Sequence, residues 1–178
     1  MKMEELRTKL TIITEWIDNT LIAHAPQART VGGLGFKRLP NYYSQKMLEF
    51  AKVVIVEQVP IPPLAALGLP ALGEFDERDY DGITFKDTFF IKKSRVNDES
   101  IYFHELVHVV QWTHLGVDRF LLAYADGLLK NGYRKSPLEE MAYDLQKYFE
   151  NNGQPVDVAA LIRNKLDEIY PQEKPNHG

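Results

Sequence analysis

Apolar residues along this chain fall into two rhythms. Leu6, Leu10, Ile13, Ile17 and Leu21 recur every three or four positions, which predicts an amphipathic helix over residues 3–23. Tyr43, Met47, Leu48 and Phe50 predict a second helix from Pro40 to Ala51. Then the rhythm changes. Val53-Val54-Ile55-Val56 is a β-branched run and predicts a buried strand. Val59-Pro60-Ile61-Pro62-Pro63 does not suit a central strand, because proline cannot donate to a ladder. Residues 60–80 are therefore predicted to be a long apolar loop, either a cleft wall or a cover over the core. Gly82 to Ile91 predicts two short strands around a tight Lys86-Asp87 turn, which lacks the glycine usual there.

Beyond this point every signal is helical. Asn97 or Asp98 caps a helix with the apolar face Phe103, Leu106, Val107 and Val110, and Gly116 stops it. Phe120, Leu121, Tyr124 and Leu128 mark the next helix, Val117 to Leu129, ended by Asn131-Gly132. Ser136 and Pro137 open a helix that runs to Phe149. Asn151-Asn152-Gly153 stops it, a last helix spans Pro155 to Tyr170, and Pro171 to Gly178 is a polar tail. Few strands followed by a run of helices predict an α+β fold, with a small mixed sheet packed on the 97–115 helix and a helical C-terminal half. With 178 residues the chain reads as one domain: an N-terminal helical region (1–52), a middle core (53–150) and a C-terminal helix and tail (151–178).

The 97–115 helix carries the candidate chemistry. In His104-Glu105-Leu106-Val107-His108 the two imidazoles stand four residues apart, on one helix face. That geometry suits one zinc ion with two His ligands, one further protein ligand and an open position. Zinc lowers the pKa of water towards about 7. Glu105 would then take the water's proton and deliver it to a leaving amine. The plain alternative is a buried helix whose histidines only make hydrogen bonds. His24 reads as a partner of its helix's C-terminal dipole, and His177 as part of the polar tail. The glycine-rich stretch Val31-Gly32-Gly33-Leu34-Gly35 lacks the spacing and the preceding strand of a phosphate loop.

The third ligand has three candidates. His114 stands where H-E-x-x-H-x-x-G-x-x-H would place it, but Gln111 occupies the glycine position, so the helix is expected to run on and carry His114 out of reach. Glu139 and Glu140 lie on the next-but-one helix. Its apolar face is Leu138, Met141, Ala142, Leu145 and Phe149. Glu139 falls about 110° from the centre of that face and Glu140 about 150°. Glu139 is the favoured ligand and Glu140 the runner-up. A capping box with Ser136 is the structural alternative for Glu139. Asp144 is a candidate to orient a ligand histidine. A developing oxyanion needs a donor, for which Tyr133 is put forward, with Tyr124 and Tyr143 behind it.

Charge and composition narrow the context. Hydrophobic content of 44% and charged content of 26% are ordinary for a globular protein. A net charge of -4 implies no general affinity for nucleic acid or an anionic membrane. There are 0 cysteines, so a metal would have to use His, carboxylate and water. No signal peptide and no membrane span are read, and cytoplasmic residence is expected.

His104-Glu105-Leu106-Val107-His108-Val109-Val110-Gln111 resembles the motif of small bacterial zincins of the gluzincin type, the minimal ones being called minigluzincins. Pro137-Leu138-Glu139-Glu140-Met141-Ala142 resembles the Pro-Leu-Glu-x-x-Ala segment that follows in such proteins, and places their third ligand on Glu139. The strand ahead of their active-site helix looks like residues 82–91 here. The resemblance covers residues 53–150. Met141 departs from it, standing where relatives often carry a second acid. The resemblance implies a zincin-like core with one zinc ion, acting as a metallopeptidase on a peptide or protein substrate. Two rivals stand beside it: a zinc-binding regulatory or toxin-antitoxin module without turnover, and a helical structural protein with a fortuitous motif.

Overall fold

The computed structural model describes residues 3–171. Helix α1 (Met3–His24) leads to a two-residue strand β1 (Arg29–Thr30). Helix α2 (Gln45–Phe50) and strand β2 (Lys52–Val56) follow. A short helix α3 (Gly73–Asp76) interrupts the apolar loop before strands β3 (Gly82–Phe85) and β4 (Thr88–Lys92). Four helices complete the described residues: α4 (Glu99–Leu115), α5 (Val117–Asn131), α6 (Pro137–Glu150) and α7 (Val158–Ile169). The fold is α+β, with helices filling the C-terminal half.

The sheet is mixed, in the order β1-β2-β4-β3. β2 runs parallel to β4, with Val54 opposite Phe90, and β3 pairs antiparallel with β4 as a hairpin. Lys86 turns that hairpin at φ 57, a left-handed conformation that favours glycine. Its side chain makes an ion pair with Asp18 of α1, a tertiary tie that helps offset the strain. β1 was not foreseen; two residues carry no periodicity to read.

α4 is the centre of the molecule. It packs against α5, α6, α7 and the inner face of β3. Every residue from Ile101 to Trp112 is buried. A helix enclosed on all sides cannot leave a polar side chain without a partner at low cost. Gly116, at φ 75, reverses the chain so that α5 folds back beside α4. Phe103 of α4 and Phe149 of α6 stack with centroids 4.6 Å apart, and both are fully buried.

Some boundaries differ from the sequence reading. The helix predicted from Pro40 to Ala51 is a single turn at Leu39–Asn41 followed by α2, because Ser44 caps a fresh start with its hydroxyl accepting from the Met47 amide. The last helix begins at Val158 rather than Pro155, capped by Asp157, which accepts from the Ala160 amide. In the apolar loop Leu64, Leu69, Leu72 and Phe75 are buried, so it covers the core. Among the described residues no helix is long and apolar enough to cross a membrane.

Candidate metal centre

His104 and His108 project from the same face of α4 and bring their Nε2 atoms within 3.2 Å of one another. Glu139, in the first turn of α6, meets them from across the α4–α6 packing. Its Oε2 lies 3.6 Å from His104 Nε2 and its Oε1 3.5 Å from His108 Nε2. One nitrogen from each histidine and one carboxylate oxygen lie within 4.8 Å of one another, and all three residues are buried. This buried group could hold a metal ion.

The surrounding hydrogen bonds say what the three groups need. His104 Nδ1 stands 2.9 Å from Gln146 Oε1, and His108 Nδ1 2.8 Å from Gln111 Oε1. The Gln111 amide nitrogen donates to the Leu138 carbonyl, and that of Gln146 to Glu150, which fixes the oxygen ends towards the imidazoles. A carbonyl oxygen can only accept, so both Nδ1 atoms carry hydrogen. In the neutral rings both Nε2 lone pairs then face each other and a carboxylate. Three acceptors converging in a buried space call for a cation. Glu139 Oε2 is itself buried without a hydrogen-bond partner. In the absence of a metal, a proton serves. Burial by itself would lower the His108 pKa, but the Glu139 carboxylate reverses that and raises it to about 9. Glu139 is in turn held well below the usual carboxylate range: burial would raise it, and the pull of His108 and His104 wins.

The residues fit zinc or a similar ion: two Nε2 donors, one carboxylate, and both Nδ1 hydrogens held by an outer hydrogen-bond partner. Tyr124 of α5 donates to Glu139 Oε1 at 2.6 Å and anchors the carboxylate from the far side. Glu105 lies beside the triad. Thr84 of β3 donates to its Oε2 at 2.6 Å. Gly82 leaves room for the other oxygen: a Cβ at position 82 would stand 2.5 Å from Oε1. Burial raises the Glu105 pKa, against the lowering effect of His104 and His108.

No family model, curated protein or solved structure matches the chain.

The other sequence candidates are placed as follows. Glu140 is exposed and lies outside the cluster. His114 is nearly three turns beyond His104 and binds Asp167 of α7 at 2.7 Å. Helix α4 continues to Leu115, so no turn brings His114 back. His177 falls outside the described residues. His24 sits against the Thr20 carbonyl and the edge of Phe90. The Ser136 side chain makes no cap bond, so Glu139 is not held in a capping box. Asp144 is exposed; the histidine partners are Gln111 and Gln146, neither of which the sequence reading proposed for that role. Their spacing was the available signal: Gln111 is one turn past His108, and Gln146 is two turns past Glu139 on the same face of α6. The tyrosines divide. Tyr124 is committed to Glu139, Tyr143 packs on the His104 ring at 4.6 Å, and Tyr133 packs edge-on against Tyr80 at 5.3 Å.

Proposed function

We propose that the protein is a zinc-dependent peptidase whose ion is held by His104, His108 and Glu139. The observation that carries this reading is the convergence of two bare Nε2 atoms and an unpartnered carboxylate oxygen, next to a second carboxylate, Glu105, that holds no metal position of its own. Bound there, zinc supplies Lewis acidity, which makes water a nucleophile near neutral pH.

The chain's own residues do the rest. Gln146 and Gln111 keep hydrogen on the two Nδ1 atoms, so both Nε2 atoms offer lone pairs. Tyr124 holds Glu139 against rotation. Thr84 occupies one oxygen of Glu105, and the other is left to accept the proton of the attacking water and pass it to the departing amine nitrogen. Burial favours such an exchange, because it brings the carboxylate's proton affinity towards neutrality.

Elemental analysis of the purified protein and of His108→Ala tests the ion: about one zinc per chain in the first and none in the second. Glu105→Gln tests the chemistry. It should keep its zinc and lose at least about 100-fold in cleavage of a peptide library, in line with removal of a general base. A protein that binds zinc, cleaves nothing and performs its role unchanged as Glu105→Gln is a binding module, and the peptidase reading fails.

A further inference from the structure

Two hollows meet at the triad, and Tyr80, Gly82, His104, Glu105 and Tyr133 line both. One is apolar, bounded by α1, the 62–75 segment and α5, with a cavity volume of about 90 Å³. An apolar cavity of roughly 150 Å³ takes a benzene, so this one holds a few carbons at most. The polar part of a substrate must lie in the other hollow, an open cleft bordered by Arg78, Arg95, Arg134 and Tyr143.

Away from the metal centre, where Glu105 keeps a free oxygen, the unmet hydrogen-bonding capacity of that cleft is of one kind. Tyr80 is 7% exposed and its hydroxyl has no partner. Burial raises its pKa, so it keeps its hydrogen. Arg95 gives its Nη atoms to Asp98 and Asp81 at 2.6 and 3.6 Å, while its Nε–H is buried and unpaired. Arg134 lies 4.0 Å over the Tyr143 ring, and among the described residues no carboxylate pairs with it. The acids of the cleft are already matched: Asp79 by Lys92, Asp81 by Lys92 and Arg95. What this outer part of the cleft lacks is acceptors.

We propose that this cleft recognises a carboxylate of the substrate, bound by Arg134, the Tyr80 hydroxyl and Arg95 Nε; the proposal rests on the peptidase reading above. One aromatic ring, Tyr143, contacts both the Arg134 guanidinium, at 4.0 Å, and the His104 imidazole, at 4.6 Å. An extended peptide rises about 3.3 Å per residue, so the carboxylate belongs to a residue one or two positions from the bond to be cut. It is either the C-terminal carboxylate of the substrate or an Asp or Glu side chain.

The test separates recognition from turnover. Zinc-loaded, full-length Glu105→Gln protein is immobilised and offered mixtures of N-acetylated hexapeptides, and retained peptides are identified by mass spectrometry. The mixtures are matched in two ways: free C-terminus against C-terminal amide, and Asp or Glu against Asn or Gln. Carboxylate-bearing peptides should be retained at least about tenfold better than their amides, as one charge-assisted hydrogen bond implies. Adding Arg134→Gln, an exposed change that should leave the melting temperature alone, should remove most of that preference. A preference that follows the terminus identifies carboxypeptidase-type recognition; one that follows the side chain identifies an acidic residue. Equal retention of the matched peptides, or none of either, overturns the proposal. The peptidase reading fails separately, if the native protein cleaves no peptide while Glu105→Gln still selects carboxylates.

Discussion

Gly82 and Glu105 touch: the glycine's missing Cβ is the space in which the Glu105 carboxylate lies, 2.5 Å from Oε1 if it were built. The neighbour that would have to move is also held by Thr84, so it cannot swing away freely. Gly82→Ala should therefore displace Glu105 and leave the triad alone. We expect zinc content to be unchanged and peptidase activity to fall at least about tenfold, with a stability loss of about 1–3 kcal/mol from overpacking. Full activity in a zinc-replete Gly82→Ala protein would remove Glu105's position from the argument.

The glutamines make a second prediction. Gln146→Leu and Gln111→Leu each remove the acceptor that keeps hydrogen on a ligand's Nδ1. Each should weaken zinc binding by about 10- to 100-fold, measured by competition with a chromophoric chelator. Asp144→Asn, exposed on the same helix, should leave the affinity as it is.

The pH dependence has opposite signs with and without metal. The His108 imidazole titrates near 6.5 when unfolded and at about 9 in the folded, metal-free protein. The stabilisation from its proton is complete below about 6.5 and is lost as pH rises through about 9. Glu139, held low by the same pair, contributes above the ordinary carboxylate range and loses its contribution only as pH falls through its depressed value. The melting temperature of the metal-free protein should drop between pH 7 and pH 9.5, relative to His108→Gln. Zinc affinity should climb about tenfold per pH unit up to about pH 9 and level off above it, since the ion displaces that proton. A metal-free protein whose stability, on that comparison, holds level to pH 9.5 contradicts the assignment.

Zinc should also stabilise the fold. It binds a group assembled from two helices, which the unfolded chain lacks. Free zinc at 100 times its dissociation constant would add about 2.7 kcal/mol. Thermal melts with and without a chelator read this directly, and Glu139→Gln should abolish most of the difference.

Phe149→Ala tests the scaffold. The ring is fully buried, stacked on Phe103 and covered by the Arg38 guanidinium at 3.8 Å. Its loss should cost about 3–5 kcal/mol. Because it fixes α6 on α4, it should also loosen Glu139 from the histidines and lower zinc affinity, whereas a truncation far from that packing, such as exposed Leu161→Ala, should do neither.

The sequence by itself determined what depends on neighbours along the chain. The i,i+4 spacing of His104 and His108 fixes two imidazoles on one face of any helix they form. The runs of apolar spacing set nearly every helix, and the offset of Glu139 from the apolar face of α6 put it nearer the core than Glu140. These are periodicities, and a single chain displays them. Tertiary structure alone decided the rest, because each part depends on a distance across elements. Glu139 meets the histidines only once Phe149 stacks on Phe103. Gln146 reaches His104 only across the α4–α6 contact, and Gln111, one turn from His108 on α4 itself, is oriented by donating to the Leu138 carbonyl of α6. Gly82 reads as the start of a strand and is one, but only the fold lays Glu105 against it. The pairing of β2 with β4, parallel and 36 residues apart in register, likewise leaves no local trace.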